Sequence, residues 1–168
     1  NCKRKRMSEL PAVSVIIPVY NVEKYLPKCL DSLLGQTMAN IEAVCVDDAS
    51  TDRSGKILEQ YAARDGRVKF FSSDGNAGPG RARNLGLEKA TGEYVMFCDP
   101  DDWFEPDAVE TAYRRIAENG NDFAYFNTYI YMEDSGRQNA DAHRLAPFAE
   151  VFGKPALRLH EQIGRAHV

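Results

Sequence analysis

The stretch VSVIIPVY, residues 13–20, decides the fold of this chain. It is short, almost entirely apolar and rich in β-branched residues, and Asn21 follows it directly. An apolar run of this kind is typical of a strand that is buried on both faces, as in a parallel sheet covered by helices. The stretch therefore predicts a central strand of an α/β domain.

Segments that resemble strands and helices alternate along the chain on the C-terminal side of this stretch. Further strands are predicted at residues 41–46, 68–71, 93–98 and 123–132. Helical spacing of apolar residues fills the intervals, with Gly92 expected as a left-handed helix cap and Pro106 as a helix start. This order predicts a mainly parallel sheet with right-handed crossovers and helices on both faces.

The patterning divides the chain into three parts. Residues 1–12 contain the basic run KRKR and are predicted to be a flexible arm, and residues 13–132 hold all of the alternating pattern. Residues 133–168 are expected to be an incomplete or poorly ordered tail. The last residues, QIGRAHV at 162–168, resemble a translated sequencing adapter and are expected to be artefactual, with the reading frame cut short.

Composition excludes several classes of protein. The net charge of −4 gives no argument for a nucleic-acid partner, although the basic arm leaves peripheral membrane association open. The four cysteines have no paired spacing, which indicates a reducing, cytoplasmic compartment and neither a disulfide framework nor a zinc site. All histidines lie at or after His143, so a histidine-based centre in the patterned part is excluded. No apolar run approaches the ~18 residues of a membrane span.

Polar residues follow each of the first four predicted strands. These strand ends carry VYN at 19–21, DD at 47–48, SSD at 72–74 and DPDD at 99–102. Because the carboxyl ends of parallel strands meet at one edge of the sheet, and ligands bind beyond that edge, we expect these residues to form one site.

The acidic run at 99–102 is the most specific of these ends. Two unit charges ~5 Å apart at an effective dielectric of ~20 cost about 3 kcal/mol, which a cation would remove. Hard divalent ions take oxygen ligands and bridge to phosphates. Asp99 and Asp101 share one side of an extended segment, so Asp101 is the leading metal ligand, with Asp99 on ribose or sharing the metal. Asp102 is expected to point elsewhere, and an acidic turn that only starts a helix is the alternative.

The loop GNAGPGRARN at 75–84 differs from a dinucleotide fingerprint. Arg83 stands where the third glycine belongs, and the loop follows the third strand, so a Rossmann dehydrogenase is disfavoured. A Walker lysine motif is also missing from the sequence. Backbone N–H groups near a helix start, with Arg81 and Arg83, suit an anionic ligand, although either arginine could be only a solvent-exposed charge.

Two further strand ends suggest contacts to a base. We expect one of Asp47 and Asp48 to accept a hydrogen bond from the imide N–H of a pyrimidine, and the other to cap a helix with Ser50 and Thr51. Tyr20 stacks on a base or only covers the sheet edge, and the sequence leaves both readings open.

Four motifs, in order, resemble the family 2 glycosyltransferases of the GT-A fold. They are VSVIIPVYN at 13–21, VDDASTD at 46–52, GRARNLG at 80–86 and the acidic run at 99–102. Ala49 departs from the pattern, since glycine is common at this place.

The resemblance implies an inverting hexosyltransferase that uses a nucleotide-sugar donor, usually UDP-linked, with Mn²⁺ or Mg²⁺ and a glycan or lipid-linked acceptor. It also implies a role in the synthesis of cell-surface polysaccharide. Residues assigned to the donor are Pro18, Tyr20, Glu23, Asp48, Arg83 and Asp99, and those assigned to the metal are Asp101 and Asp99.

The general base of the family is a carboxylate far beyond the metal motif. Glu133 and Asp134 form the only acidic Glu-Asp pair after that motif, and they come too early for this role, which a polar turn explains equally well. The base is therefore expected beyond residue 168, and the chain is expected to bind donor without turning it over. A sugar-phosphate nucleotidyltransferase and a non-catalytic binding module are the alternatives.

Overall fold

The computed structural model describes residues 10–120, 130–132 and 137–139. The strands are β1 (Val13–Val19), β2 (Ile41–Asp47), β3 (Val68–Ser72), β4 (Tyr94–Phe97), β5 (Ile130–Met132) and β6 (Arg137–Asn139). The helices are α1 (Leu26–Leu34), α2 (Ser54–Arg64), α3 (Pro79–Lys89) and α4 (Ala108–Asn119). The chain divides into two compact units, residues 1–111 and 112–168.

The first unit is built on a four-stranded sheet in the order β3-β2-β1-β4, and all neighbouring strands are parallel. The chain moves outward from β1 to β3 and then returns to place β4 on the other side of β1. With right-handed crossovers, α1 and α2 cover one face and α3 covers the other. Contacts of α1 with α2, and of α3 with β1 and β2, agree with this arrangement. The predicted fold class is confirmed.

The core lies around the two central strands. Every residue of β1 and β2 is buried, because helices cover both faces of these strands. From α1 the core takes Leu26, Cys29, Leu30 and Leu33, whose spacing forms one helical stripe. Residues 13–19 thus form a fully buried strand, as predicted.

Gly92 has a different role from the predicted one. Helix α3 ends at Lys89, and Ala90 after it is extended, with φ −62° and ψ 134°. A Cβ at Gly92 would lie 2.7 Å from both the amide nitrogen and the Oγ of Ser14. The prediction of a left-handed cap is wrong, because close approach to β1 requires glycine here.

Of two predicted helix starts, that of α4 differs from the structure, while the run STD at 50–52, which suits a helix start, does contribute to that of α2. Helix α4 begins at Ala108 and not at Pro106. Helix α2 begins at Ser54, and its N-cap residue Arg53 makes no side-chain capping bond. The amide of Ser54 instead donates to Oδ1 of Asp52 at 2.8 Å, so Asp52 supplies the helix-start chemistry from one residue earlier.

The second unit is described only in part. Of the predicted strand 123–132, residues 130–132 form β5, which pairs antiparallel with β6 in a separate two-stranded sheet. Predictions for residues 1–9, Glu133, Asp134, the histidines and residues 162–168 lie outside the described residues. Over the described part, no helix is both long enough and apolar enough to cross a membrane.

Candidate functional site

Three strand ends lie side by side at the carboxyl edge of the sheet. Val19, Asp47 and Ser72 are in register across β1, β2 and β3. The ladder continues one step further, since the amide of Asp48 donates to the carbonyl of Val19 at 2.8 Å and that of Ser73 to the carbonyl of Asp47 at 2.9 Å. The residues that follow these strands therefore share one surface.

An open pocket of about 260 Å³ lies on this surface. Its lining consists of Pro18, Val19, Tyr20, Asp48, Asn76, Gly78, Pro79 and Ala82. The ring of Tyr20 is 45% exposed there, and Asp48 is only 2% exposed. Mostly apolar walls around one carboxylate are typical of a site for a flat, partly polar ligand.

The carboxylate of Asp48 holds the glycine-rich loop against the sheet. It accepts hydrogen bonds from the hydroxyl of Ser73 at 2.8 Å and from the amides of Ala77 at 3.1 Å and Gly78 at 2.7 Å. Gly78 has φ 86°, a left-handed conformation that glycine adopts without strain. One wall of the pocket thus depends on Asp48.

Asp48 stays ionised at neutral pH. Burial by itself would raise its pKa, but hydrogen bonds from Ala77, Ser73 and Gly78, together with the charge of Arg81, outweigh burial and lower the pKa below its ordinary value. An ionised carboxylate only accepts hydrogen bonds. Asp48 is therefore suited to a ligand that presents an N–H donor.

The two neighbouring aspartates have different surroundings. Oδ1 of Asp47 accepts a hydrogen bond from the amide of Ser50 at 3.1 Å, and a Cβ at Gly55 would lie 3.1 Å from Oδ2 of Asp47. Asp47 thus shapes the turn before α2 while Asp48 lines the pocket. This division matches the expected one, and the contact of Asp48 with a base stays a prediction.

The turn after β1 is joined to the turn after β2 by reciprocal hydrogen bonds. Oδ1 of Asn21 accepts from the amide of Thr51 at 2.8 Å, and the amide of Asn21 donates to Oγ of Ser50 at 3.0 Å. Asn21 has φ 51°, a left-handed conformation that asparagine tolerates well. Sequence analysis missed this role, although an asparagine directly after a strand was its signal.

Glu23 lies within these joined turns. Its Oε2 accepts from the backbone amide of Arg53 at 2.8 Å and forms an ion pair with Nε of Arg53 at 3.2 Å. The amide of Arg53, and then its guanidinium, lower the pKa of Glu23. The structure therefore places Glu23 beside Arg53 and apart from the pocket lining.

The acidic residues follow β4 on the same edge. Phe97 pairs with Ile16 of β1, and the amide of Cys98 donates to the carbonyl of Ile16 at 3.0 Å. Nη2 of Arg83, on α3, lies 2.5 Å from Oδ1 of Asp99. The structure thus connects the glycine-rich loop, through α3, to the acidic run.

The acidic run is crowded, as its charges predict. The amide of Asp102 donates to the carbonyl of Asp99 at 3.0 Å, which closes a turn. Partial desolvation, and then the charges of Asp101 and Asp99, raise the pKa of Asp102 above its ordinary value. The charge of Asp102 is thus felt together with those of both neighbours, and the direction of its side chain stays a prediction.

The donor set fits a divalent ion that arrives with a phosphate. Among the described residues, no group of three or more histidine, cysteine, aspartate or glutamate side chains could hold a metal ion by itself. Mg²⁺ commonly binds through one or two carboxylates plus substrate phosphates. Asp101 and Asp99 supply hard oxygen ligands of that number, so the residues suit such an ion.

The structure therefore brings most of the predicted site residues to one edge in two clusters. Pro18, Tyr20 and Asp48 line the pocket, while Arg83 and Asp99 form an ion pair beside Asp101 on the acidic run. Sequence analysis placed Ser73 among the polar strand ends and Asn76 in the glycine-rich loop, but it assigned neither of them a role.

Comparison with known proteins defines the class. The family model described as glycosyl transferase family 2 matches residues 14–164. The chain belongs to the family 2 glycosyltransferases.

Particular relatives cover the chain in part. Glycosyltransferase GlyA of Streptococcus pneumoniae is 49% identical over 124 residues, which are 74% of this chain and 18% of that protein. The putative glycosyltransferase EpsH of Bacillus subtilis is 44% identical over 77% of this chain and 37% of its own length. The chain spans about a fifth to a half of the length of such relatives.

Solved structures show the same fold. The crystal structure of S. aureus TarS in complex with UDP has a TM-score of 0.62 and 39% identity, over 66% of this chain and 33% of that one. The mannosyltransferase PcManGT from Pyrobaculum calidifontis, in complex with GDP-Man and Mn²⁺, has a TM-score of 0.60 and 26% identity, over 69% of this chain and 38% of that one.

Proposed function

We propose that this chain binds a UDP-sugar with a divalent cation, as the donor site of an inverting hexosyltransferase. The observation that carries the proposal is the shared sheet edge. The pocket around Asp48 and the acidic run with Asp101 both follow parallel strands of one sheet, and the ion pair between Arg83 and Asp99 lies with them. A ligand with a base at one end and a diphosphate at the other suits this pattern.

The pocket is assigned to the base. Tyr20 and Pro18 offer apolar surfaces for a flat ring, and the ionised carboxylate of Asp48 accepts from an imide N–H. Uracil presents such an N–H, whereas cytosine presents an unprotonated ring nitrogen at the same place. The TarS complex with UDP supports this choice of base.

The acidic run is assigned to the metal and the ribose. Asp101, with Asp99, would hold Mn²⁺ or Mg²⁺, which would act as a Lewis acid on the departing diphosphate. Arg83 already neutralises Asp99 in the structure. With a cation held by Asp99, the guanidinium of Arg83 would be available to a phosphate oxygen, which arginine binds well.

The full reaction forms a bond from an acceptor hydroxyl oxygen to the anomeric carbon and breaks the bond from that carbon to the diphosphate. Its acceptor is proposed to be a glycan or lipid-linked glycan; one relative is a poly(ribitol-phosphate) beta-glucosyltransferase. We assign no general base among the described residues. The proposal for this chain is therefore donor binding without turnover.

Calorimetry with UDP, in the presence and absence of Mn²⁺, tests the assignment. We expect Mn²⁺ to tighten UDP binding about 10-fold or more, and Asp101→Ala to remove that gain, since metal ligands act in this range. Uridine, which has no phosphate to bridge to the metal, should bind the wild type and Asp101→Ala equally. Glu59→Ala, a change at an exposed acid of α2, is the matched control. UDP binding that ignores Mn²⁺ and survives Asp101→Ala would refute the metal assignment.

Base selectivity has its own measurement. We expect UDP to bind at least about 10-fold more tightly than CDP, because the carboxylate accepts from the N–H of uracil but repels the lone pair on the ring nitrogen of cytosine. Equal affinities for the two nucleotides would contradict the role of Asp48. Failure of the chain to bind any nucleotide would instead favour a non-catalytic interaction module.

A further inference from the structure

A row of side chains along α1, and just beyond its end, faces the segment that follows the acidic run. The row consists of Cys29, Ser32 and Gln36, whose spacing places them along one side of the helix. Gln36 is buried, at 7% exposure, whereas the three aspartates of the acidic run are exposed. The acidic residues thus lie on a surface loop that is attached to the core from beneath.

Gln36 makes the central attachment. Its Nε2 donates to the carbonyl of Glu105 at 2.8 Å, and its Oε1 accepts from the amide of Val109 at 3.0 Å. Nε2 also donates to the carbonyl of Ser32 at 3.0 Å, which fixes the side chain against α1. A buried amide that uses both its donor and its acceptor in this way is costly to remove, since its partners lose their hydrogen bonds.

Ser32 and Thr37 attach the same segment on either side. Oγ of Ser32 accepts from the amide of Phe104 at 3.1 Å and donates to the carbonyl of Cys29 at 2.7 Å. The amide of Thr37 donates to the carbonyl of Pro106 at 2.8 Å. The backbone of residues 104–109 is therefore held at four successive points.

The front of the acidic run is attached to α1 as well. Sγ of Cys29 lies 3.7 Å from Sγ of Cys98 and 3.8 Å from the carbonyl oxygen of Asp99. Nζ of Lys28 lies 3.1 Å from the centre of the Trp103 ring, as a cation–π contact. Both ends of the loop that carries Asp101 are thus fixed to one helix.

We propose that Gln36 and Ser32 are positioning residues, which hold the acidic loop in the geometry that binds the metal. The proposal rests on the proposed donor site. A ligand set that is already ordered binds its ion without the cost of ordering a loop, so loosening its supports lowers metal affinity. The base pocket is built on other strands and turns, and it keeps its affinity when these supports are removed.

The experiment compares two ligands on the whole chain. In Gln36→Leu and Ser32→Ala, we expect the Mn²⁺-dependent gain in UDP affinity to fall about 10-fold, as when the outer supports of metal ligands are removed, while uridine affinity stays within about twofold. Ser32→Thr keeps the hydroxyl and should restore the gain. Where Gln36→Leu fails to fold, Ser32→Ala, which removes a single attachment, carries the test.

Tyr61→Phe, a change on α2 that removes a contact to α1, is the matched control. It removes the hydrogen bond from the Tyr61 hydroxyl to Oδ1 of Asp31, at 2.8 Å, which lies on the side of α1 that faces α2. This variant should lose stability without losing the Mn²⁺-dependent gain. A similar loss of gain in Tyr61→Phe would overturn the inference, because general loosening of α1 would then explain the effect.

Hydrogen exchange supplies a readout without metal. We expect the amide of Phe104 to exchange faster in Ser32→Ala and the amide of Val109 to exchange faster in Gln36→Leu, while amides of β2 keep their protection. Unchanged exchange at both loop amides would overturn this inference but not the proposed function. So would a Mn²⁺-dependent gain in UDP affinity that is as large in Ser32→Ala and Gln36→Leu as in the wild type. A wild-type chain without any Mn²⁺-dependent gain would overturn the proposed function itself.

Discussion

The carboxylate of Asp48 has two tasks, because it holds the glycine-rich loop and faces the pocket. It accepts hydrogen bonds from the amides of Ala77 and Gly78, so its removal leaves both donors without a strong acceptor. Aspartate at this position is therefore a structural residue as well as a candidate ligand contact.

Asp48→Asn is expected to lower the free energy of unfolding by about 2 kcal/mol, since hydrogen bonds to a charged acceptor are replaced by weaker ones. Urea unfolding at pH 7 measures the change. Asp74→Asn, the same change at an exposed aspartate just before the glycine-rich loop, should change stability little. Equal effects of the two substitutions would contradict the structural role of Asp48.

The lowered pKa of Asp48 makes this contribution depend on pH. The group is easier to ionise in the folded chain than in the unfolded chain, where its pKa is about 4. Its contribution is therefore complete above about pH 5 and is lost as the pH falls through the folded value. The stability difference between wild type and Asp48→Asn should shrink between pH 5 and pH 3, and a constant difference would refute the shift.

Ala49 adopts a conformation that favours glycine. Its φ is 60°, in the left-handed region, where a Cβ costs about 1–2 kcal/mol and glycine loses about 0.5–1 kcal/mol in entropy. Ala49→Gly should therefore raise the free energy of unfolding by about 0.5–1 kcal/mol, as measured by urea unfolding. Ala63→Gly, the same change in an exposed turn of α2, should lower it by a similar amount.

Helix α3 packs on the central sheet through a glycine. A Cβ at Gly86 would overlap Cγ2 of Ile16, so the side chain of Ile16 on β1 packs directly against the backbone of this helix. This close approach sets the position of Arg83, on the same helix, relative to Asp99. The contact is tertiary, and neither segment contains it alone.

Gly86→Ala should destabilise the chain by about 1–3 kcal/mol through overpacking, although alanine favours helices. Thermal unfolding measures this effect. Gly80→Ala changes another glycine of α3, where nothing lies within 4 Å of the added Cβ, and should be neutral or stabilising. A stabilised Gly86→Ala variant would show that α3 does not approach β1 so closely.

The joined turns after β1 and β2 connect two elements that carry the pocket. Asn21 accepts from residues of the second turn, and Glu23 pairs with Arg53 across it. Tyr20 follows β1 directly, so this junction holds its backbone in place. Glu23 thus supports the site from the neighbouring turn.

Burial protects three thiols across the first unit. Cys29, Cys45 and Cys98 are buried and free. Burial raises the pKa of Cys45 to about 12, while the hydrogen bond with Cys29, and then burial, raise that of Cys98. Since the thiolate is the reactive form, the raised pKa values keep Cys45 and Cys98 unreactive in the folded chain, and burial shields Cys29 from reagents.

Labelling with a thiol reagent at pH 8 should therefore follow global unfolding. In a Cys2→Ser variant, we expect slow labelling without denaturant and fast labelling through the urea transition. Labelling of Cys45 that precedes the loss of helical signal would contradict this view of the core. Mass spectrometry of the labelled peptides identifies each cysteine.

Much of the fold could be predicted because local patterns of apolar residues indicate its strands and helices directly. An apolar, β-branched run such as residues 13–20 is stabilised when both of its faces are covered. Parallel sheets are covered in this way, so the pattern indicates a strand of a parallel sheet. The same holds for the edge that carries Asp48 and Asp101, since parallel strands end together. Helix starts and Gly92 were predicted less well, because nearby polar residues offered several equivalent caps.

What the amino-acid order determined was the sequence of elements, the sheet edge and the residue types that meet there. Only the folded chain decided which partner each side chain takes. Glu23 forms an ion pair with Arg53, Asp48 accepts hydrogen bonds from the glycine-rich loop, and Gln36 donates to the segment beyond the acidic run. The physical reason is that periodicity reports burial, which is local, whereas hydrogen bonds between residues 30 to 70 apart depend on register and helix placement.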